Sequence, residues 1–195
     1  MPLTGRGFTP AERHALGWTT VIGTRVGGHG WNEASRPIAQ AVADSSGGVE
    51  FDFAAPEDLG GAHALTVEKD GEKQTGSLWI NPTALPLDVE RGPVATPFTV
   101  HLKGVGWTET ANIYTVVYDN SYIGYVCPFK SQGDIEIPLQ ATGDRGWHFI
   151  DLYPAIYRGE EQQPRNFLIP QLTYAADHPG EDLPHFGFAF EVTEE

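Results

Sequence analysis

Hydrophobic and polar positions alternate over short stretches of this chain, and the stretches recur. In Val49–Phe53, Val49, Phe51 and Phe53 alternate with Glu50 and Asp52. In Asp134–Leu139, Ile135, Ile137 and Leu139 alternate with Asp134, Glu136 and Pro138. A period of two sets one face of an extended strand in a core and the other in water. Amphipathic helix patterns are scarce, and only Pro37–Asp44 (PIAQAVAD) reads as a short helix. The pattern predicts an all-β chain.

The same blocks appear twice in the same order. Leu3–Gly23 (LTGRGFTPAERHALGWTTVIG) matches Leu102–Gly124 (LKGVGWTETANIYTVVYDNSYIG). Gly47–Pro56 matches Gln132–Ala141, Gly61–Val67 matches Gly146–Leu152, and Ser77–Pro82 matches Gly187–Val192 more loosely. Self-similarity at this spacing predicts two tandem copies of one supersecondary unit. The paired glycines, Gly5 with Gly7 and Gly104 with Gly106, end a strand and open a tight turn. That turn folds the next aromatic, Phe8 or Trp107, over the end of the core. They lack the third glycine and the helix of a dinucleotide-binding loop.

On these residues the chain resembles bacterial immunoglobulin-like repeats of the IPT/TIG or related early-set type. The resemblance implies two tandem immunoglobulin-like β-sandwiches. It also implies a non-catalytic accessory or interaction region of a larger bacterial protein, extracytoplasmic or at the cell surface. The expected division is residues 1–85, with an insertion over 24–46, and residues 86–195, with an insertion over 154–183. The connection is expected near Asn81–Gly92, where prolines stiffen it. The second copy has a strand ahead of its paired glycines, Thr96–Leu102, whereas the first has only Met1 and Pro2 ahead of Leu3. The first sandwich is therefore expected to lack its N-terminal strand. A fragment of a longer protein, a late start or a strand donated by a partner would each account for this.

Composition narrows the partners. Hydrophobic residues make up 40% of 195, enough for a core, and 23 Gly and 15 Pro suit a turn-rich β chain. The net charge of −14 repels phosphate backbones and anionic lipid surfaces, so neither nucleic acid nor membrane insertion is expected. No stretch reaches the roughly 18 consecutive apolar residues of a membrane span. Met1–Pro10 has neither a charged start nor an apolar run, so if the protein is exported its signal is expected upstream. Cys127 is the sole cysteine, which excludes an intrachain disulfide; its apolar setting reads as an inert core thiol.

The two copies share a scaffold, so their differences mark the candidate functional positions. The first insertion is longer than a usual hairpin loop. It carries His29 and Trp31 between glycines, which form either a contact surface or a cap over the sandwich end. On Gly146–Tyr153, His148, Ile150 and Leu152 share one face, and Trp147, Phe149, Asp151 and Tyr153 share the other. A strand apolar on both faces is covered on both. The cover is either the chain's own second insertion or another molecule. Tyr114, Tyr118, Tyr122 and Tyr125 add aromatics on neighbouring strands, and exposed they would make a platform for protein or glycan. Asn166–Thr173 is apolar enough to serve as an extra strand or cover. Asp177, His178, Glu181, Asp182 and His185 gather carboxylates and imidazoles suited to Zn²⁺ or Ca²⁺, though their spacing matches no established site.

No nucleophile elbow is present. His63 and His148 occupy matching positions and read as scaffold. Asp119–Asn120 reads as a hairpin turn. The expectation is a non-catalytic chain without a cofactor, bound to a protein partner or to covalently linked upstream domains. Two alternatives stand: a glycan-binding or small-ligand-binding module, assisted by Ca²⁺, or a small metal-dependent enzyme built on the 177–185 cluster.

Overall fold

The computed structural model describes residues 1–23, 31–106, 113–128, 132–157, 166–168 and 185–194. Fifteen strands and no helix occur among them. The chain forms two compact units: Met1–Glu57 with Ala62–Ile80, and Asp58–Gly61 with Asn81–Glu195.

The first unit packs a two-stranded sheet against a four-stranded one. Strand β1 (Pro2–Gly5) pairs antiparallel with β4 (Val49–Asp52). The larger sheet runs β3 (Trp31–Val42), β2 (Arg13–Gly23), β5 (Gly61–Lys69), β6 (Glu72–Ile80). Alternating residues from both sheets fill the core: Val49 and Phe51 from β4, Leu16 and Trp18 from β2, Leu65 and Val67 from β5. Phe8 closes one end of that core behind Gly7, whose φ is +79°.

The second unit is a fuller version of the same plan. One sheet is β12 (Ile135–Gln140), β9 (Pro97–Lys103), β7 (Thr83–Ala84). The other is β11 (Ser121–Val126), β10 (Tyr114–Tyr118), β13 (Gly146–Tyr157), β15 (Phe186–Val192), β8 (Arg91–Gly92), with β14 (Asn166–Leu168) on the far end of β13. All pairs are antiparallel except β15 with β8. In immunoglobulin lettering the sheets are E-B-A and C′-C-F-G-A′, two packed antiparallel sheets with a shared core. The first unit then reads E-B and C′-C-F-G. Phe98 of β9 stacks on Phe190 of β15 at 4.6 Å, joining the two sheets of the second core.

Five expectations are corrected. Residues 31–42 of the 24–46 segment are not a loop insertion, and Pro37–Asp44 is not helical: residues 31–42 form β3, paired with β2 over its full length. Tertiary pairing overrides the weak helix propensity of an alanine-rich stretch. Pro37 is accommodated because β3 is an edge strand and the register slips there, between Leu16 and Gly17 opposite. The match of Ile22–Gly23 with Ile123–Gly124 also fails, since the first pair ends β2 and the second lies on β11. The 81–92 segment is not an unpaired connection, because β7 and β8 are strands of the second unit. Finally, the strand ahead of the first paired glycines exists in shortened form as β1. What the described residues of the first unit lack are counterparts of β7 and β8.

Candidate functional site

Strand β13 carries the candidate residues, and its register fixes where they point. Ile150 pairs with Tyr118 and Leu152 with Val116, and all four are buried in the core. The alternate residues Trp147, Phe149, Asp151 and Tyr153 therefore lie on the outer face. Across the sheet, Tyr122 of β11 faces Val117, which faces Asp151, which faces Gly187 of β15. One step along, Tyr125 faces Thr115, which faces Tyr153. Val117 and Thr115 are buried between these larger neighbours.

Four large aromatic side chains on this face are open. Trp147 is 59% exposed, Phe149 56%, Tyr122 56% and Tyr125 45%. Of the second insertion, β14 pairs with Ala155–Tyr157, beyond the aromatic stretch, and residues 158–165 and 169–184 lie outside the described residues. Tyr114 and Tyr118 take no part in the platform, because both belong to the core.

A polar pair sits at the middle of the face. His185 Nε2 donates to Asp151 Oδ1 at 3.0 Å, and its ring stacks on Tyr153 with centroids 4.5 Å apart. Gly187 lies opposite Asp151, where a Cβ would make only ordinary contact with Asp151 Oδ1, at 3.4 Å. Burial, and then the charge of Asp151, push the Tyr153 phenol above its ordinary range. Sequence reasoning had placed Asp151 and Tyr153 in one candidate set and His185 in another. The fold brings the three together.

The remaining candidates distribute as follows. His29 lies outside the described residues, and Trp31 opens β3 with only its backbone described. Asp177, His178, Glu181 and Asp182 lie outside the described residues. Among the described residues no three His, Cys, Asp or Glu side chains gather as metal ligands. Cys127 is only partly buried, just past β11, rather than within a core strand.

The two matched histidines are buried as scaffold. His63 donates from Nδ1 to the Thr19 carbonyl at 2.9 Å and stacks on Trp18 at 4.4 Å. His148 stacks on Tyr118 at 5.7 Å. The registers make these pairs equivalent: Trp18 faces Leu65, two residues after His63, and Tyr118 faces Ile150, two residues after His148. His148 does more than His63, and its partner Asp119 was read from sequence only as a turn residue. Asp119 and Asn120 both have positive φ, 47° and 63°, as a two-residue hairpin with the right twist requires. The Asp119 carboxylate accepts from His148 Nδ1 and from the Phe149 amide, so the turn is tied to β13 beside the aromatic face. No local motif signals this contact between residues 29 apart.

No family model matches the chain, and no curated protein matches it. Among solved structures it is similar to a chain described as "Biofilm associated protein - BSP domain", at 12% identity and a TM-score of 0.28. That match covers 93% of this chain and 26% of the other, so this chain spans about a quarter of that protein's length.

Proposed function

We propose that the chain is a non-catalytic contact region of a larger extracytoplasmic protein or assembly. Its contact surface is the outer face of β11, β10, β13 and β15, and it meets a partner protein there. One observation carries this reading: Trp147, Phe149, Tyr122 and Tyr125 stand exposed on a single face. Contiguous exposed aromatics are uncommon on surfaces that meet only water, and Trp and Tyr dominate the binding energy of contact surfaces. Half-exposed rings present roughly 100 Å² each, or roughly 400 Å² for four. At about 25 cal/mol per Å² that is about 10 kcal/mol gross. Association itself costs about 4–15 kcal/mol. The rings alone therefore sustain weak binding, and the surrounding residues must add affinity and specificity.

A photo-crosslinking residue at Phe149 tests this in the native host. The expected result is a discrete protein adduct at Phe149 and none at Ala64, the matching position of the first unit. Equal or absent labelling at both positions overturns the reading.

A second reading, a glycan ligand, is favoured by the Asp151–His185 pair lying among the rings. Sugars bind by apolar stacking together with hydrogen bonds at fixed polar groups. Glycan-array binding that W147S/F149S abolishes would support it, with Ca²⁺ dependence read from the same array in EDTA.

A further inference from the structure

The larger sheet of the first unit holds a hollow where the second unit is filled. It is a cavity of about 710 Å³ over β3, β2, β5 and the start of β6. Its floor is small: Ala15 and Gly17 of β2, with Ser35 of β3 and Thr66 of β5 beside them. Gly17 faces Thr66 as Val117 faces Asp151 in the second unit, so the first unit has glycine where the second has valine. Glycine inside a strand goes with a bulge, present here between Leu16 and Gly17, and it leaves the floor open. A Cβ on Gly17 would meet Thr66 Oγ1 at 2.6 Å and Ser35 Oγ at 3.5 Å, so two hydroxyls stand beside the floor.

His14 lines the same cavity and is 7% exposed. Its Nδ1 lies 3.3 Å from the Glu68 carbonyl, so Nδ1 donates and Nε2 of the neutral ring is an acceptor. Nε2 is buried and has no hydrogen-bond partner among the described residues. A buried polar atom in that state calls for a donor from outside the chain. Arg13, Arg36 and Lys73, three of the chain's 12 cationic side chains, also line the cavity. Glu12, Glu68 and Asp70 line it with them.

We propose that this hollow binds an acidic oligosaccharide, a short run of sugar rings that carry carboxylates. Sugar hydroxyls donate to His14 Nε2, Glu68 and Asp70, and they accept from Ser35 and Thr66. The sugar carboxylates pair with Arg13, Arg36 and Lys73, and a guanidinium meets a carboxylate through two parallel hydrogen bonds. A plain anion would face the three protein carboxylates as well as the cations, and a plain cation would face the three cations. A ligand with many hydroxyls and one carboxylate per ring is matched by both sets. Four strands at the usual spacing span roughly 14 Å, longer than one sugar ring, so the ligand is an oligosaccharide. The volume is also that of an organic-ligand site. The inference is independent of the aromatic face.

The test uses the whole 195-residue chain, a galacturonate trisaccharide and its neutral galactose counterpart, all in EDTA. Calorimetry and the ¹⁵N resonances of the histidine rings are read together. The expected result is saturable binding of the galacturonate, at least tenfold tighter than that of the neutral sugar, with a shift of the His14 Nε2 resonance. R36Q/K73Q alters two exposed side chains and should keep the wild-type melting temperature while weakening binding at least tenfold. Binding should be unchanged in W147S/F149S, which separates this outcome from any failure of the contact-face reading. No binding, equal binding of the two sugars, an unmoved His14 Nε2 resonance or full affinity in R36Q/K73Q overturns the proposal. Loss of binding in W147S/F149S also overturns it, since the sugar then sits on the aromatic face.

Discussion

His148 and Asp119 meet at 2.5 Å across the end of the second sandwich, Nδ1 against Oδ2. The other ring nitrogen, Nε2, lies 2.6 Å from the Asp144 carbonyl. Both partners are pure acceptors, so both nitrogens must donate, and only the imidazolium does so. The hydrogen bond to Asp119 and then that to Asp144 raise the His148 pKa above 6.5, against a smaller opposing effect of burial. Burial acts to raise the Asp119 pKa, but the His148 and Phe149 hydrogen bonds outweigh it and leave the carboxyl below 3.8.

Linkage turns this pair into a pH dependence. The contribution of His148 is fully present below pH 6.5 and is lost as pH rises through its raised folded pKa. The contribution of Asp119 is present above pH 3.8 and is lost as pH falls through its lowered folded pKa. Both are complete between those two values. Urea unfolding of the second unit should therefore weaken as pH rises above neutrality. In D119N, which keeps the turn geometry, that slope should flatten and the His148 pKa should fall. NMR titration of the His148 ring reads this directly; a wild-type value at or below 6.5 would contradict it.

Gly143 should be intolerant of any side chain. Its φ is +100°, and a Cβ there would meet His148 Cε1 at 2.4 Å. G143A must shift either the turn or the imidazole, with an expected loss of about 1–3 kcal/mol. Gly124 on β11 is the control, because a Cβ there meets nothing within 4 Å and its backbone is ordinary. G124A should change stability by less than about 0.5 kcal/mol. Thermal melts of the two variants compare them.

Much of the fold was legible because the period-2 signal survives wherever one face is buried and the other wet. Val49–Phe53 and Asp134–Leu139 show it, and they became β4 and β12 with their apolar residues inward. The split faces of β13 followed from the same rule. Residues 31–42 hid because an edge strand has little apolar demand: most of β3 described by burial is exposed or half-exposed. Only Ile38, Ala39 and Ala41 reach the core, each partly buried, so its alanines and Pro37 carried no clear strand pattern. The Ile-Gly match misled for a different reason. A two-residue turn at Asp119–Asn120 cuts the second copy, while β2 runs straight on to Gly23. At the candidate site, Trp147, Phe149, Asp151 and Tyr153 were found by comparing the copies. Asp119 and the seat of His185 were not, because each is set by strand pairing between distant segments.

Trp18 should be the most costly residue to truncate in the first unit. It is fully buried, and it stacks on His63. W18A leaves a cavity and removes that stack, with an expected cost of about 3–5 kcal/mol. A domain of this size often has 5–15 kcal/mol in all, so the variant should melt early or fail to fold. W18F, which keeps an aromatic against the imidazole, should recover more than half of the loss. Equal melting temperatures for W18A and W18F would mean that the stack contributes nothing.

Tyr153 offers a quieter test of the polar centre of the aromatic face. Burial is the larger cause of its raised pKa and the Asp151 charge the smaller. D151N removes only the second, so the phenol should move part of the way back toward 10 and no further. Its ¹³Cζ titration reads the shift, and a full return to 10 would make the charge, not burial, the dominant cause.

Trp147 and Phe149 should behave in the opposite way to Trp18. Each is more than half exposed, so truncation removes little buried area. The cost of W147S/F149S should come mainly from the lower strand preference of serine, at most about 1 kcal/mol per site. The same change deletes the largest apolar side chains of the open face. Binding of a hydrophobic dye to the native chain should then fall, while the denaturant midpoint stays nearly fixed. A large drop in that midpoint would show that the two rings support the fold, and the face would lose its standing as a surface kept open for contact.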